Sequence, residues 1–151
     1  MKTTIEISGK GGDGTQTLAR IIGEAAILEE KNCSFYPVYD AVVRGIISDN
    51  GCVIGISNAY IIISDESIIN TIVEKIDITI NLNGDNEILK ISDEFTKSKK
   101  LLGIFLVGAI ITKILKKKSL IAAIKNNVPE NYLPQNLKAF EAGITAGILN
   151  K

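Results

Sequence analysis

The residues with the clearest chemical potential in this 151-residue chain lie near its start: Gly9, Lys10, Gly11, Gly12 and Gly14, followed at once by Thr15. Glycine carries no Cβ, so a run of this kind can turn tightly, reach positive φ and bring backbone N–H groups close to a bound group. If a helix follows, its unpaired first-turn amides and the positive end of its dipole aim at the same corner, which suits an anion such as phosphate. Thr15 would begin or cap that helix. Lys10 would add positive charge to the corner, or stand in solvent as most lysines do. Asp13 would favour the dipole yet repel an incoming anion. A second candidate is Arg44 with Gly45, preceded by Tyr39 and Asp40. At the carboxyl end of neighbouring strands the guanidinium could meet a ligand, or it could pair with Asp40 or Asp49. Tyr39 could stack on a ligand or pack beneath the loop.

The missing residue types narrow the chemistry further. There is no histidine, which removes the commonest general base, the commonest metal ligand and every Ser-His or Cys-His nucleophile pair. Cys33 and Cys52 are the only cysteines and form no C-x-x-C pair, which argues against a structural zinc or an iron–sulfur cluster in this chain. They read as small core residues of predicted strands. With no secretory signal, two free thiols point to a reducing, cytoplasmic setting. Lys plus Arg and Asp plus Glu number 17 each, so bulk charge offers no case for nucleic acid or an anionic membrane. The most apolar run, Leu101 to Ile111, falls short of the roughly 20 residues of a bilayer span and reads as a buried helix. Hydrophobic residues make up 46% of the chain, enough for a substantial core in one domain over residues 1–151.

The elements that must position the glycine corner are legible around it. Thr3 to Ser8 alternates with Ile5 and Ile7 on one face, the pattern of a half-buried strand. Leu18, Ile21, Ile22 and Ala25 follow at the spacing of one helix face, and that helix should run to about Glu29 or Glu30. Cys33 to Val38 reads as a strand near an edge, because Pro37 cannot donate to a ladder. Tyr39 to Gly45 reads as a loop, Gly51 to Ser57 as a strand, and Tyr60 to Ser64 as another strand or a connection. Ser64 or Asp65 caps an expected short helix over Glu66 to Glu74. Ile76 to Leu82 alternates as a strand, and Asn83-Gly84 turns toward a possible antiparallel return over Glu87 to Ile91. Helices are expected from Lys99 to about Leu115, from Ser119 to Asn126, and from Gln135 to Gly147. The Lys116-Lys117-Lys118 run suits a solvated helix end. Strands alternating with helices predict an α/β, three-layer Rossmann-like domain with a mainly parallel sheet, a glycine-rich loop after the first strand and a helical C-terminal part.

Three interpretations of the corner follow. As G-x-G-x-x-G between strand and helix it fits a dinucleotide fingerprint, with Asp40 the nearby acid for a ribose. As a relative of the P-loop form K-G-G-x-G-K-S/T it fails where the chemistry lies, since Thr15 and Gln16 occupy the lysine and hydroxyl positions. The third is a family resemblance. The run from Ser8 to Ala26, S-G-K-G-G-D-G-T-Q-T-L-A-R-I-I-G-E-A-A, resembles the opening of the gamma subunit of 2-oxoacid:ferredoxin oxidoreductases. Tyr39 to Ile46 is similar to that family's Y-G-x-E-x-R-G-G loop. Leu102-Gly103 with its apolar helix resembles the N-x-x-x-L-G-A-L segment, and Asn136 to Gly143 the N-x-x-A-F-x-x-G helix. Departures from the pattern are Asp13 for glutamine, Val42 for glutamate and Ile46 for glycine, with a shortened middle.

The resemblance implies an accessory subunit of an enzyme that converts a 2-oxoacid and coenzyme A to acyl-CoA and CO2 while reducing ferredoxin. It implies that thiamine diphosphate and iron–sulfur clusters sit in thiamine-binding and ferredoxin-type partner subunits, and that this chain borders the coenzyme A side without turnover of its own. Gly9, Lys10, Gly11, Gly12, Gly14, Thr15, Arg44 and Gly45 are then the candidate contacts, with no catalytic or metal-binding residue. The alternative is a stand-alone dinucleotide- or nucleotide-binding α/β protein. The apolar Leu101 to Ile111 helix, richer than a small monomer needs at its surface, suggests that part of it or of its neighbours faces a partner chain or a second copy.

Overall fold

A computed structural model of the chain describes residues 1–39, 46–48, 51–53, 55–83 and 101–149. The strands are β1 (Lys2–Lys10), β2 (Asn32–Tyr39), β3 (Ile46–Ser48), β4 (Gly51–Val53), β5 (Ile56–Ser64) and β6 (Ile78–Asn81). The helices are α1 (Thr15–Ile27), α2 (Leu102–Ile110), α3 (Lys117–Asn127) and α4 (Leu133–Leu149), with single 3-10 turns at Ile111–Lys113 and Glu130–Tyr132. β3 and β4 form a separate two-stranded hairpin.

The main sheet has the order β2-β5-β1-β6. β1 and β2 both pair antiparallel with β5, and β1 pairs parallel with β6, so β5 alone among these four strands is reversed. The expected mainly parallel sheet is therefore corrected to a mixed one. The reason lies in the connections. A parallel neighbour needs a crossover of a dozen or more residues, usually helical. β1 reaches β2 through α1, whereas the described residues between β2 and β5 include the β3–β4 hairpin and no helix, and β5 enters antiparallel between β2 and β1. β2, which carries Pro37, is an edge strand among the described residues, as its composition predicted.

The register aligns the apolar positions of three strands. Ile5 stands opposite Ile61 and Ile78, and Ile7 opposite Ala59 and Ile80. Leu18, Ile21, Ile22 and Ala25 of α1 pack on that face, and all four helices join the same core. Each fully buried isoleucine there contributes about 1.5–3 kcal/mol of hydrophobic stabilisation. The other face is more polar: the Tyr60 hydroxyl donates to Glu6 Oε1 at 2.9 Å, and its ring stacks on Tyr36 with centroids 5.3 Å apart. With Glu6 accepting its hydrogen bond, and with some burial, the Tyr60 phenol is held above its ordinary pKa.

α2 is the central helix. Every residue from Leu102 to Ala109 is buried in this chain's own core, which corrects the expectation of a partner face for the helix itself and does not bear on its neighbours. Its cover is α4, which it meets backbone to backbone at Gly108, Gly143 and Gly147. The short helix expected over Glu66 to Glu74 does not form: residues 67–76 have no regular secondary structure. Nine residues fall below the roughly 12–15 that sustain an isolated helix, and among the described residues its apolar positions are only partly covered, with Ile68 and Val73 half-buried and Ile69 and Ile72 exposed. α3 begins at Lys117, two residues before the expected Ser119, from an extended Lys116.

Candidate functional site

The glycine corner sits where β1 ends, flanked by the start of β5 and the end of β6. Gly9 is buried, and a Cβ there would stand 2.9 Å from the Thr15 methyl and 3.2 Å from Asp13 Oδ2, so its glycine serves the turn itself. Gly12 and Gly14 have φ of 97° and 86°, the left-handed region that side chains disfavour, and both have open space where a Cβ would lie. Gly11 is held to the sheet by its N–H donating to the Gly55 carbonyl at 2.9 Å. Lys10 closes β1 with its side chain exposed.

Asp13 plays a local part. Its N–H donates to the Lys10 carbonyl at 3.0 Å, and its Oδ2 accepts the Lys10 N–H at 2.7 Å. The carboxylate thus closes the loop and leaves α1 without a side-chain cap; Gly14 occupies the cap position with no hydrogen-bonding side chain. Among the described residues no side chain caps the first amides of α1, which have the helix dipole behind them.

Thr15 starts α1 but its hydroxyl faces inward. It is 2% exposed and lies 2.7 Å from Ser57 Oγ on β5. Gln16 Nε2 donates to the Asn58 carbonyl at 3.0 Å and reaches Ser57 Oγ at 3.3 Å. These bonds tie the helix start to β5, so Thr15 can offer a ligand its backbone N–H and not its hydroxyl. Ser57, Asn58 and Gly55 are the corner's hidden supports. No short motif marks them; only the β1–β5 register, which sets Gly9 opposite Ser57, reveals their role.

The corner therefore unites Gly9, Lys10, Gly11, Gly12, Gly14 and Thr15. Arg44 and Gly45, with Asp40 and the Glu87 to Ile91 return, lie outside the described residues. Cys33 is half-buried with Sγ close to Gly23, and burial pushes its thiol pKa up, which suits the core role expected of it. Two cysteines and no histidine in the whole sequence do not fit a four-thiolate cluster, and no group of three metal-ligating side chains occurs among the described residues. Nor is any helix among them long and apolar enough to cross a membrane.

Fold and corner together define the chain as an α/β domain built around a glycine-rich strand-to-helix turn with an uncapped helix start. Residues 4–96, more than half of the chain, match the model of the pyruvate ferredoxin/flavodoxin oxidoreductase family, and the chain belongs to that family. A search of curated proteins gives no match. Among solved structures it is similar to the keto/oxoacid ferredoxin oxidoreductase gamma subunit of Geobacter sulfurreducens, at 20% identity and a TM-score of 0.71, covering 99% of this chain and 98% of that one. It is also similar to pyruvate oxidoreductase subunit PORC of Thermotoga maritima, at 17% identity and a TM-score of 0.66, covering 95% and 96%. A third is 2-oxoglutarate:ferredoxin oxidoreductase of Magnetococcus marinus, solved with 2-oxoglutarate, coenzyme A and succinyl-CoA bound. There the identity is 15% and the TM-score 0.68, and 98% of this chain matches 31% of a longer one.

Proposed function

We propose that this chain is an accessory gamma-type subunit of a cytoplasmic 2-oxoacid:ferredoxin oxidoreductase, a single domain that helps build the complex and borders the path of coenzyme A. Thiamine diphosphate and iron–sulfur clusters would belong to thiamine-binding and ferredoxin-type companions, where they supply decarboxylation and electron transfer. This chain's own part is the glycine corner. The observation that carries the reading is the uncapped start of α1 behind Gly12 and Gly14, in a family whose chemistry needs an acyl acceptor. The N–H groups of the corner and first turn would receive a phosphate, with Lys10 beside them and Asp13 turned back onto the loop. Arg44 and Gly45 are proposed to complete the contact from the neighbouring loop.

The test is a thermal-shift panel on the purified chain and on its complex with co-expressed companions, using coenzyme A, NAD, NADP and ATP. Coenzyme A is expected to stabilise the complex, and Gly12→Asp to abolish that shift by placing a carboxylate at the mouth of the corner. Stabilisation by NAD alone, lost on changing Asp40, would overturn the reading in favour of a stand-alone dinucleotide-binding protein.

A further inference from the structure

The four helices join the core on one face of the main sheet, where Ile5, Ile7, Ala59 and Ile61 point. Strand alternation puts Glu6 of β1, Asn58 and Tyr60 of β5, and Tyr36 and Val38 of β2 on the other face. Near the Met1 end that face is closed, with Thr4 5% and Ile62 0% exposed. Toward the other end it opens: Glu6, Tyr36, Asn58 and Tyr60 are half-buried, and Val38 and Ile56 are 45% and 56% exposed.

The register makes a row of three of these side chains. Tyr36 stands opposite Tyr60, and Tyr60 opposite Glu6, so two stacked rings and a carboxylate cross β2, β5 and β1 in line. The Tyr60 hydroxyl is engaged with Glu6 Oε1. The row is rich in acceptors: the second carboxylate oxygen, the ring faces and, two residues before Tyr60, Asn58 Oδ1, which is buried with no hydrogen-bond partner among the described residues. It is short of positive charge. Glu6 enters no ion pair among the described residues, and Lys2 and Lys10 of the same strand each lie about 13 Å away along it.

A carboxylate beside tyrosine rings, without a cation of its own, suits a guanidinium: the planar group lies on an aromatic face while its N–H groups donate to the carboxylate. A sheet face lacks the concavity that encloses a small molecule. Tyrosines with exposed Val38 and Ile56 at their margin match the make-up of a protein interface instead, where tyrosine and arginine are enriched. A second copy of this chain is a poor donor. Its described arginine, Arg20, is on α1, which packs on the opposite face of the sheet, so the contact between copies would run head to tail and would not close as a pair.

We propose that the helix-free face of the sheet receives a companion subunit, which lays an arginine side chain on the Tyr36–Tyr60 stack and pairs it with Glu6. The inference rests on the accessory-subunit reading above and uses none of the residues assigned there to coenzyme A.

Binding of the full chain to its co-expressed thiamine-binding and ferredoxin-type companions tests it. Glu6→Gln keeps an oxygen for the Tyr60 hydroxyl and removes only the charge; it should weaken assembly about tenfold or more. Tyr36→Leu keeps apolar bulk and removes the ring, and should weaken it several-fold. Hydroxyl-radical footprinting should find Tyr36 and Tyr60 oxidised in the free chain and protected in the complex, with Tyr132, exposed in the turn between α3 and α4, oxidised in both. Thermal melting of each free variant separates a lost contact from a lost fold. A complex that binds either variant as tightly as the parent, or that leaves Tyr36 and Tyr60 open to oxidation, overturns this inference and leaves the accessory-subunit reading standing. A parent chain that joins no complex overturns both.

Discussion

Gly143→Ala tests the packing on which the helical half depends. A Cβ at Gly143 would stand 2.0 Å from the Phe105 carbonyl oxygen and 3.1 Å from the Ala109 nitrogen. Those are backbone atoms, so no side-chain rotation relieves the clash. To reach an ordinary separation α2 and α4 must part by more than 1 Å, around Phe105 and Phe140, which are both fully buried. Overpacking of this kind costs about 1–3 kcal/mol where side chains can yield, and more where they cannot. Alanine's better helix propensity returns about 1 kcal/mol. The expected net loss is about 2–3 kcal/mol, read from urea unfolding at constant slope and as a fall in Tm of roughly 4–12 °C. Gly23→Ala is the control, since its nearest neighbour is the Cys33 sulfur at 3.3 Å; it should lie within about 1 kcal/mol of the parent. A neutral or stabilised Gly143→Ala protein would refute the close helix crossing.

Three further outcomes follow from the corner and the chain start. Thr15→Val removes the hydroxyl paired with Ser57 in a buried site and should cost about 1–2 kcal/mol in urea unfolding, with Ser57→Ala closing a double-mutant cycle whose coupling is positive. Gly14→Ala forces a side chain to φ 86° and should cost about 1 kcal/mol, measured the same way, though space for the methyl is open. Asp65 titrates at about 2 when folded, against an ordinary 3.8, because Lys31 and the Met1 amine bind its carboxylate. A depressed carboxylate stabilises the fold above its unfolded pKa, and that contribution drains away as pH falls from 3.8 through about 2. Asp65→Asn should therefore be the less stable protein at pH 6 and should converge with the parent below about pH 2, followed by chemical denaturation across pH.

Much of the corner was legible because glycine spacing and helix periodicity are local. Gly12 and Gly14 adopt the positive φ that glycine permits, and Leu18, Ile21, Ile22 and Ala25 face the core as their spacing required. Sheet direction was not legible, because β5 inserts between β2 and β1 and no local pattern encodes that order. For the same reason Ser57 and Asn58 escaped notice as partners of Thr15 and Gln16. The Leu102–Ala109 helix was rightly read as apolar all round, but hydrophobicity does not say whether the cover comes from α4 or from another chain. Residues 67–76 show the converse: a strong helical pattern that has no regular secondary structure, with Ile69 and Ile72 exposed.

Co-expression of this chain with thiamine-binding and ferredoxin-type companions, followed by native mass spectrometry and assay of coenzyme-A-dependent 2-oxoacid oxidation, tests the central claim most directly. The account predicts a stoichiometric complex that holds this chain, and ferredoxin reduction that falls away when it is omitted. A purified chain that oxidises a 2-oxoacid or turns over a nicotinamide by itself would contradict it, as would a fully active complex from which this chain is absent.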